Sequence, residues 1–578
     1  MKGRAVGIAA VLAIALALPL LVVQPVYQNV LIWICLYAIM GAAWNLLGGF
    51  TGQLLLGQAA FFGIGAYAST LLLLKFQVPP IVGMWVGALI AAVFGGLIGW
   101  PGLRLRGPFF ALATLAVAEV LRLTATAWTG LTNGSHGLFV PTTPSWQNLV
   151  FQHRSTYVWI AILATMVTFG AMAWLSGSQL GLRLKAVRED EEAAEAIGIN
   201  AAKVKVLALM VSAATTAICG TFYTQYLFFI DPDSVFSINL SIQAAMVAIV
   251  GGVGHPLGPL LGSIVLVPFQ ELVRSYLGGA YQGIYGVVYG GGLMAVVILA
   301  PRGLIRLFAR PSRPPEGKSD IASRPITIPS GPGLSGPLMS ATGLSKRFGG
   351  VFAVKDVDFS IGHGEVLGVI GPNGAGKSTL FNLLAGALTP SEGKITFLNR
   401  PLPTRRSPHS SAQLGIARTF QLVRPFADLS VQENVEVAAL MREDGDQARR
   451  LANWAVETTG LAGDRHRKSG ELALGSRKRL EIARALATQP RLLLLDEVMA
   501  GLNPAEVKTM LAIVNEVRKA GVSVLMTEHL LHAVMAVCDR LIVMHHGEVI
   551  ADGTPGEVVK QARVVEVYLG RRRAGASA

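Results

Sequence analysis

The chain has 578 residues, of which 52% are hydrophobic and 15% are charged, and its formal net charge is +14. Soluble domains carry about 25% charged residues, so a wholly soluble protein is excluded. A basic balance can indicate a nucleic-acid partner, but many Lys and Arg residues here flank apolar segments, where membrane orientation accounts for them. The three cysteines are far apart and form no metal, redox or disulfide pattern.

The first predicted element is an apolar run from Ala5 to Val23, preceded by Lys2 and Arg4. As a helix it would be about 28 Å long, close to the ~30 Å hydrocarbon core of a bilayer. A signal peptide is the alternative. Because further apolar segments follow directly, a first transmembrane helix is favoured.

Nine more apolar segments predict an all-α membrane domain over residues 1–305. They lie at about 29–48, 54–74, 81–101, 109–128, 156–175, 204–229, 241–253, 256–273 and 283–300. Lys and Arg are concentrated in alternate connections, which places the N-terminus in the cytosol. The C-terminal end of the domain must also be cytosolic, because the phosphate-binding motif at residues 371–379 needs cellular nucleotide. The stretch 241–273 therefore starts and finishes outside, as either two tilted crossings or a re-entrant hairpin. The sequence therefore predicts eight or ten spans.

Charged residues within the apolar segments are rare and occur in pairs. Glu119 and Arg122 are three positions apart, as are Glu271 and Arg274, so each pair can neutralise itself on one helix face. Both pairs lie near predicted outer ends, so we interpret them as interfacial pairs rather than substrate contacts.

The Gly-rich break at 251–256 either lines a transport pathway or is a simple helix turn.

The longest predicted cytosolic loop, residues 181–200, is charged and rich in helix-forming residues. Ala193 and Ala194 lie on the apolar face of a possible short helix beside Glu192, and Gly198 interrupts it. A solvated loop is the usual interpretation of such a stretch. Because a Gly-rich motif of the phosphate-binding kind, residues 371–379, occurs later in the chain, a coupling helix at the cytosolic membrane surface is favoured.

Residues 306–338 are rich in Arg, Pro, Gly and Ser, which predicts a flexible linker with a reach of roughly 30 Å. Residues 339–570 alternate strand-like and helix-like patterns, which indicates an α/β domain with a parallel core sheet. A basic tail, residues 571–578, follows.

The phosphate loop (residues 371–379) follows a short apolar strand and precedes a leucine-rich helix. It consists of Gly371, Pro372, Asn373, Gly374, Ala375, Gly376, Lys377, Ser378 and Thr379. Glycines at these positions let backbone N–H groups converge on phosphate oxygens, and the helix adds its positive end. Lys377 is predicted to reach the β- and γ-phosphates, and Ser378 to bind Mg²⁺. The pattern therefore predicts an ATP site in a P-loop NTPase fold.

A run of four leucines, 492–495, predicts a strand buried on both faces, and it ends in Asp496 and Glu497. Open α/β sheets bind ligands at the carboxyl ends of their strands. Asp496 is therefore predicted to hold Mg²⁺, and Glu497 to polarise the attacking water.

Three further residues complete the predicted site. Phe348, ahead of the first predicted strand, is free to stack on adenine, with core packing as the alternative. Gln421 is expected to reach the metal and the water. His529 follows a strand and is expected to hold the γ-phosphate, although a lone His is more often structural. Before a basic helix lies the signature segment, residues 472–476: Leu472, Ala473, Leu474, Gly475 and Ser476.

These motifs, in this order, resemble those of the ATP-binding cassette (ABC) ATPases. The ending 551–557 with 564–570 is similar to the ATPases of branched-chain amino-acid importers. Four stretches are similar to the permease subunits of those importers: 45–48, 57–67, 192–200 and 300–304. The family usually places these parts on two polypeptides, whereas one chain carries both here.

The resemblance implies ATP-driven, Mg²⁺-dependent uptake of branched-chain or related amino acids across the bacterial cytoplasmic membrane, with the ATPase in the cytoplasm. It implies a second permease subunit and a second ATPase, or a self-dimer, and a periplasmic substrate-binding protein. Lipid surrounds the membrane domain, and no nucleic acid is expected. Urea or short amides are alternative substrates. An exporter half-transporter fits less well because the cytosolic loops are short. A membrane-tethered regulatory ATPase, which transports nothing, also fits less well, because the chain has a Gly-broken pair of spans and a surface helix.

The signature segment departs from the family pattern, Leu-Ser-Gly-Gly-Gln. Ala473 replaces the serine, Leu474 the first glycine and Ser476 the glutamine. The family binds ATP between one phosphate loop and the partner's signature segment. Because Ala473 has no hydroxyl to donate, we expect this chain to work best in a heterodimer.

Overall fold

The computed structural model describes residues 19–103, 107–277, 303–308 and 336–569, together with residue 17 and isolated positions between 287 and 300. The chain forms two compact units. The helical unit comprises residues 1–188 and 202–313, and the sheet unit comprises 189–201 and 314–578. Four predicted segments lie wholly or mostly outside the described residues: the spans 5–23 and 283–300, the linker 306–338 and the tail 571–578.

Long apolar helices and several shorter ones build the helical unit. They are α1 (Pro25–Gly48), α2 (Gln58–Phe76), α3 (Pro80–Gly102), α4 (Pro108–Ala127), α5 (Thr129–Thr132), α6 (Arg154–Ser176), α7 (Gln179–Glu189), α9 (Ala201–Leu227), α10 (Pro232–Val235), α11 (Ile238–Gly251), α12 (Gly258–Leu277) and α13 (Ile305–Phe308). A short 3₁₀ helix, Gly134–His136, and the paired strands β1 (Leu138–Phe139) and β2 (Phe229–Ile230) lie between them.

Seven stretches among the described residues are long and apolar enough to cross a bilayer: α1, α2, α3, α4, α6, α9 and Pro232–Gly251, which contains α10 and α11. The helix α12 follows the predicted break as a separate element of 20 residues. The total of eight or ten spans stays a prediction, since two predicted spans lie outside the described residues.

Small residues allow the helices to approach closely. A Cβ at Gly65 of α2 would lie 2.0 Å from the carbonyl oxygen of Ala217 on α9, and one at Gly220 would lie 2.1 Å from that of Phe62. Because lipid is as apolar as a leucine side chain, such close backbone packing is the main source of cohesion between membrane helices.

The two predicted ion pairs differ in their contact distances and partners. The guanidinium of Arg122 lies 2.6 Å from a carboxylate oxygen of Glu119 and also pairs with Asp233, which the sequence spacing did not indicate. The Arg274 and Glu271 side chains are 3.9 Å apart, with Arg274 largely exposed. Arg122 therefore ties α4 to α10 instead of only neutralising its own helix.

The sheet unit contains two sheets. A four-stranded antiparallel sheet has the order β4-β3-β6-β7, and a six-stranded sheet has the order β12-β11-β5-β10-β9-β8. The strands are β3 (Met339–Phe348), β4 (Val351–Ile361), β5 (Val366–Ile370), β6 (Glu392–Phe397), β7 (Arg400–Pro401), β8 (Ile416–Arg418), β9 (Leu492–Asp496), β10 (Ser523–Thr527), β11 (Arg540–His545) and β12 (Glu548–Gly553).

Helices surround these sheets: α8 (Glu191–Ala196), α14 (Lys377–Leu384), α15 (Pro408–Leu414), α16 (Val431–Ala439), α17 (Gly445–Thr458), α18 (Leu474–Ala487), α19 (Pro504–Lys519), α20 (Leu531–Val537), α21 (Pro555–Val558) and α22 (Ala562–Leu569). Two 3₁₀ helices, Ala462–Asp464 and Ser469–Glu471, connect α17 to α18.

The strands β5, β9 and β10 are buried along their whole length and pair in parallel, with β10 in the middle. Their ends are aligned, because Thr527 of β10 pairs with Asp496 of β9 and with Val369 of β5. The three segments that follow these strands therefore begin side by side at one edge of the sheet.

Candidate functional site

The phosphate loop leaves β5 and enters α14, as predicted from its pattern. Gly376 has a φ of 102°, and a Cβ there would lie 2.2 Å from the carbonyl oxygen of Ala353, so only glycine fits. Because α14 begins at Lys377, the N–H groups of its first turn have no partner within the helix. Ser378 is exposed beside them. The loop therefore presents an anion-binding helix end with a hydroxyl next to it.

The ammonium group of Lys377 lies inside this loop. It donates hydrogen bonds to the carbonyl oxygens of Gly371, at 2.6 Å, and Pro372, at 3.1 Å. Burial lowers the pKa of Lys377, and the nearby carboxylates of Glu497 and Asp496 oppose that shift. A cation is thus held at the mouth of the phosphate loop, facing the acidic pair.

Asp496 ends β9 as a buried carboxylate. Its Oδ1 accepts a hydrogen bond of 2.7 Å from the Thr527 hydroxyl, and its N–H donates to the Thr419 hydroxyl at 3.2 Å. Burial raises the pKa of Asp496, while Thr527, Arg418 and Lys377 lower it. Thr527 therefore orients this carboxylate and Thr419 fixes its backbone, and no sequence motif indicated either threonine.

Glu497 is the residue on which the predicted catalytic groups converge. Its Oε2 accepts a hydrogen bond of 2.8 Å from Nε2 of Gln421, and its Oε1 lies 2.8 Å from Nε2 of His529. Its backbone has a φ of 49°, a strained conformation for a residue with a side chain, and its N–H donates to the Thr527 carbonyl oxygen at 3.1 Å. The fold thus holds a carboxylate between an amide and an imidazole.

Phe348 lies at the end of the first strand of the sheet unit, β3, so the prediction that it precedes that strand was wrong. It pairs with Val351 of β4, so β3 continues up to the two-glycine turn Gly349–Gly350. The ring is 50% exposed, and the Lys346 ammonium lies 5.2 Å from its centroid. The ring is therefore not packed in the core.

The signature segment forms the start of α18. Leu472 and Gly475 are buried, Leu474 is exposed, and the Ser476 hydroxyl accepts a hydrogen bond of 2.9 Å from Arg479. Ala473 is the exposed N-cap residue, and no side chain caps the helix there. The free helix end is therefore open toward solvent in the sheet unit.

Comparisons with known proteins agree with both halves of this architecture. Residues 26–300 match the family model "Branched-chain amino acid transport system / permease component". Residues 354–500 match "ABC transporter", and 548–574 match "Branched-chain amino acid ATP-binding cassette transporter".

Curated relatives cover the sheet unit. The high-affinity branched-chain amino acid transport ATP-binding protein LivG of Salmonella typhimurium is 38% identical over 255 residues, which are 41% of this chain and 99% of LivG. The chain belongs to the branched-chain amino acid ABC transporter family. BraF of Pseudomonas aeruginosa, a protein of the same description, is 36% identical with the same coverage. A solved nucleotide-free ATP-binding cassette is 31% identical and covers 41% of this chain and 100% of its own, with a TM-score of 0.38.

The transporter is thus a permease and an ATP-binding cassette on one chain. Its cassette binds nucleotide and hydrolyses ATP in connection with transport, and its apolar helices make it a membrane protein with a cytoplasmic ATPase. The fusion, the permease fold and the cassette fold expected from the sequence are all confirmed.

The predicted coupling stretch, residues 181–200, is not one helix but lies in two, α7 and α8, because Asp190 interrupts it. Asp190 has an extended backbone and caps α8 by accepting a hydrogen bond from the Ala193 N–H at 2.8 Å. Such a cap starts a new helix instead of continuing the old one. Glu192 is exposed on α8, and Ala193 and Ala194 are fully buried.

Within the sheet unit, this second helix packs against α15 and its neighbours. A Cβ at Gly198 would lie 3.7 Å from Ala412 and from Met441, and the Gly198 carbonyl oxygen accepts a hydrogen bond of 3.4 Å from Gln413. The amide nitrogen of Asn200 lies 3.1 Å from His409. The residues 189–201 are therefore an integral part of the sheet unit.

Sequence reasoning missed Arg424, which follows Gln421 by three positions. Its guanidinium lies 2.7 Å from a carboxylate oxygen of Glu192 and 3.3 Å from one of Asp190. It also lies 5.1 Å from the ring centroid of Phe420. The only available signal was a basic residue near the glutamine and an acidic run in the coupling stretch.

Glu528 and Lys478 also escaped notice because neither belongs to a recognised motif. Burial raises the pKa of Glu528 to about 7, and its Oε1 accepts a hydrogen bond of 2.8 Å from the Met499 N–H. Lys478 donates to the carbonyl oxygens of Glu497, at 3.1 Å, and Ala500, at 2.6 Å. Together they brace the segment that carries Glu497.

Proposed function

We propose that this chain is the fused permease–ATPase of an importer that takes branched-chain or related small amino acids across the bacterial cytoplasmic membrane. The observation that carries the proposal is the match of both halves, on one chain, to branched-chain amino acid transport models. Its partners are a periplasmic substrate-binding protein and a second set of permease and ATPase subunits.

The site residues fit a nucleotide with Mg²⁺. The exposed hydroxyl of Ser378 and the oriented carboxylate of Asp496 are oxygen ligands, which Mg²⁺ prefers alongside phosphate oxygens and water. Bound there, the metal would neutralise charge on the phosphates. Glu497 then acts as the general base toward water, with Gln421 on one carboxylate oxygen and His529 on the other. When nucleotide binds, we expect Gln421 to reach the metal and the water, His529 to hold the γ-phosphate, and Lys377 to move from its loop carbonyls to the phosphates.

The segment 189–201 couples the two activities in this proposal. Its support is the pair of contacts from Arg424 to Asp190 and Glu192, since Arg424 lies on the same loop as Gln421. Movement of that loop during the nucleotide cycle would therefore be felt by the stretch that leads into α9.

Uptake by the purified assembly in proteoliposomes tests the function. With substrate-binding protein outside and ATP inside, we expect labelled leucine, isoleucine or valine to accumulate, and Glu497→Gln to abolish accumulation. Accumulation of urea or short amides instead would show an importer with a different class of substrate. ATP-driven loss of preloaded solute would indicate an exporter. ATP hydrolysis without any solute movement would favour a regulatory ATPase.

A charge exchange tests the coupling. Glu192→Arg should lower uptake per ATP hydrolysed, because Arg424 then faces a like charge. The double variant Glu192→Arg with Arg424→Glu should recover part of the loss. Equal uptake per ATP in all three proteins would contradict the coupling role, and Glu195→Arg on the same helix serves as the matched control.

A further inference from the structure

One buried carboxylate closes the loop that carries Gln421. Glu481 lies on α18 and is 4% exposed. Its Oε2 accepts a hydrogen bond from the Phe420 N–H at 3.3 Å, and its Oε1 accepts one from the Arg424 N–H at 2.7 Å. The two oxygens therefore hold the two ends of residues 420–424, which we name the glutamine loop.

A second buried side chain on the same helix binds the same loop. Arg484 is 3% exposed, and its Nη1 donates a hydrogen bond of 2.8 Å to the carbonyl oxygen of Arg424. Its guanidinium also lies 4.5 Å from the ring centroid of Phe426. The helix α18 thus binds both the N–H and the C=O of Arg424.

Buried charges are costly unless each is paired and hydrogen-bonded. Here the hydrogen bonds of Glu481 go to the backbone of one loop, whose Leu422 is exposed at the surface. Apolar residues could fill the same space but could not bind backbone N–H groups. The arrangement therefore specifies the position of the loop relative to α18.

The glutamine loop has two other attachments. The Gln421 side chain binds Glu497, and the Arg424 side chain binds Asp190 and Glu192. The helix α18 begins at the signature segment. One five-residue loop therefore joins the signature helix, the general base and the segment 189–201.

We propose that Glu481 and Arg484 are positioning residues that carry movement of the signature helix to Gln421 and so set the orientation of Glu497 for hydrolysis. The inference rests on the proposed function of the cassette as a transport ATPase. It assigns no contact with nucleotide to either residue, because both act through the backbone of Phe420 and Arg424.

A double-mutant cycle on the full-length assembly tests this role. Glu481→Gln presents an amide N–H to one of the two backbone donors, so we expect kcat for ATP hydrolysis to fall about tenfold with KM for ATP within twofold. In a Gln421→Ala background the same change should lower kcat by less than twofold, because residues acting through one partner are not additive. An equal fall in both backgrounds, or no fall in either, would overturn the proposal.

Two further measurements guard against a folding defect. Arg484→Lys keeps the charge beside Glu481 but loses the Nη1 hydrogen bond to the Arg424 carbonyl oxygen, and it should show the same dependence on Gln421. Hydrogen exchange of residues 418–426 should accelerate in Glu481→Gln while α19 stays protected, and unchanged exchange would count against the role. Glu457→Gln, an exposed carboxylate paired with Arg465, is the matched control.

The readout is ATP hydrolysis and not uptake. If vesicles take up a different solute, the importer proposal fails while this test keeps its meaning. If the cycle is additive but amino acids still accumulate, the positioning role fails alone.

Discussion

The sheet unit and the helical unit use their polar side chains differently. In the sheet unit, side chains from three separate segments meet at one carboxylate: Gln421 and His529 both contact Glu497 at 2.8 Å. In the helical unit, buried polar side chains find their hydrogen-bond partners on the backbone of neighbouring helices. The Ser212 hydroxyl donates to the Ala43 carbonyl oxygen at 2.6 Å, and Gln58 Nε2 donates to that of Met40 at 2.8 Å.

The difference follows from the two environments. A parallel sheet brings the ends of many strands to one edge, where loops can present reactive groups to solvent. A membrane helix has already satisfied its own backbone, so a polar side chain in lipid serves packing or must find a partner. Chemistry is therefore concentrated in one unit and close packing in the other.

Replacing the central carboxylate gives the largest expected effect. Glu497→Gln should reduce ATP hydrolysis by about 10²- to 10⁴-fold, because the general-base contribution is lost. Nucleotide binding should persist, since the phosphate loop is unchanged. Phosphate release at saturating ATP and equilibrium nucleotide binding measure the two quantities. Glu516→Gln, an exposed carboxylate paired with Lys519 on α19, is the control. Undiminished hydrolysis would refute the role of Glu497.

Removing the cation of the phosphate loop should affect binding itself. Lys377→Ala is expected to raise the Kd for ATP by about 10- to 100-fold, because hydrogen bonds to charged groups contribute about 1.5–3 kcal/mol. A fluorescent ATP analogue measures this, with Lys519→Ala as the control. A Kd equal to that of the wild type would show that the ammonium stays with the carbonyl oxygens of Gly371 and Pro372.

Packing in the helical unit can be tested with a matched pair of glycines. Gly65→Ala should lower the free energy of unfolding by about 1–3 kcal/mol, because the added methyl group meets the Ala217 carbonyl oxygen. Gly170→Ala, also within a membrane helix, has no atom within 4 Å of the new Cβ and should not destabilise the protein. Thermal unfolding in detergent measures both. Equal melting temperatures would contradict close backbone packing between α2 and α9.

The signature segment should show the smallest effect. Ala473→Ser supplies a hydroxyl at an uncapped helix end. We expect the hydrolysis rate of the self-dimer to rise a few-fold, which corresponds to a fall on the order of 1 kcal/mol in the activation free energy. Ala473→Asn caps the helix equally well. If both variants raise the rate alike, capping is the cause and the missing hydroxyl is not. A self-dimer of unmodified chains that hydrolyses ATP as fast as the hetero-assembly would contradict our expectation of a heterodimer.

The sequence by itself determined the two-part architecture and the nucleotide motif. Length and apolarity decide which segments suit a bilayer, and the glycines of the phosphate loop are required by local backbone geometry, as Gly376 shows. The acidic pair after the four leucines was likewise predictable, because a strand buried on both faces must end where its polar residues begin. These are local properties of a few consecutive residues.

Only the tertiary structure decided which distant groups meet. Separate elements are joined by the hydrogen bonds of Asp496 with Thr419 and Thr527, by the pairing of Arg424 with Glu192, and by the closure of the glutamine loop by Glu481. Asp190 divided the coupling stretch in two, although helix-forming residues surround it. Propensity and spacing describe single elements, whereas these contacts depend on strand order and helix packing, which no short pattern encodes.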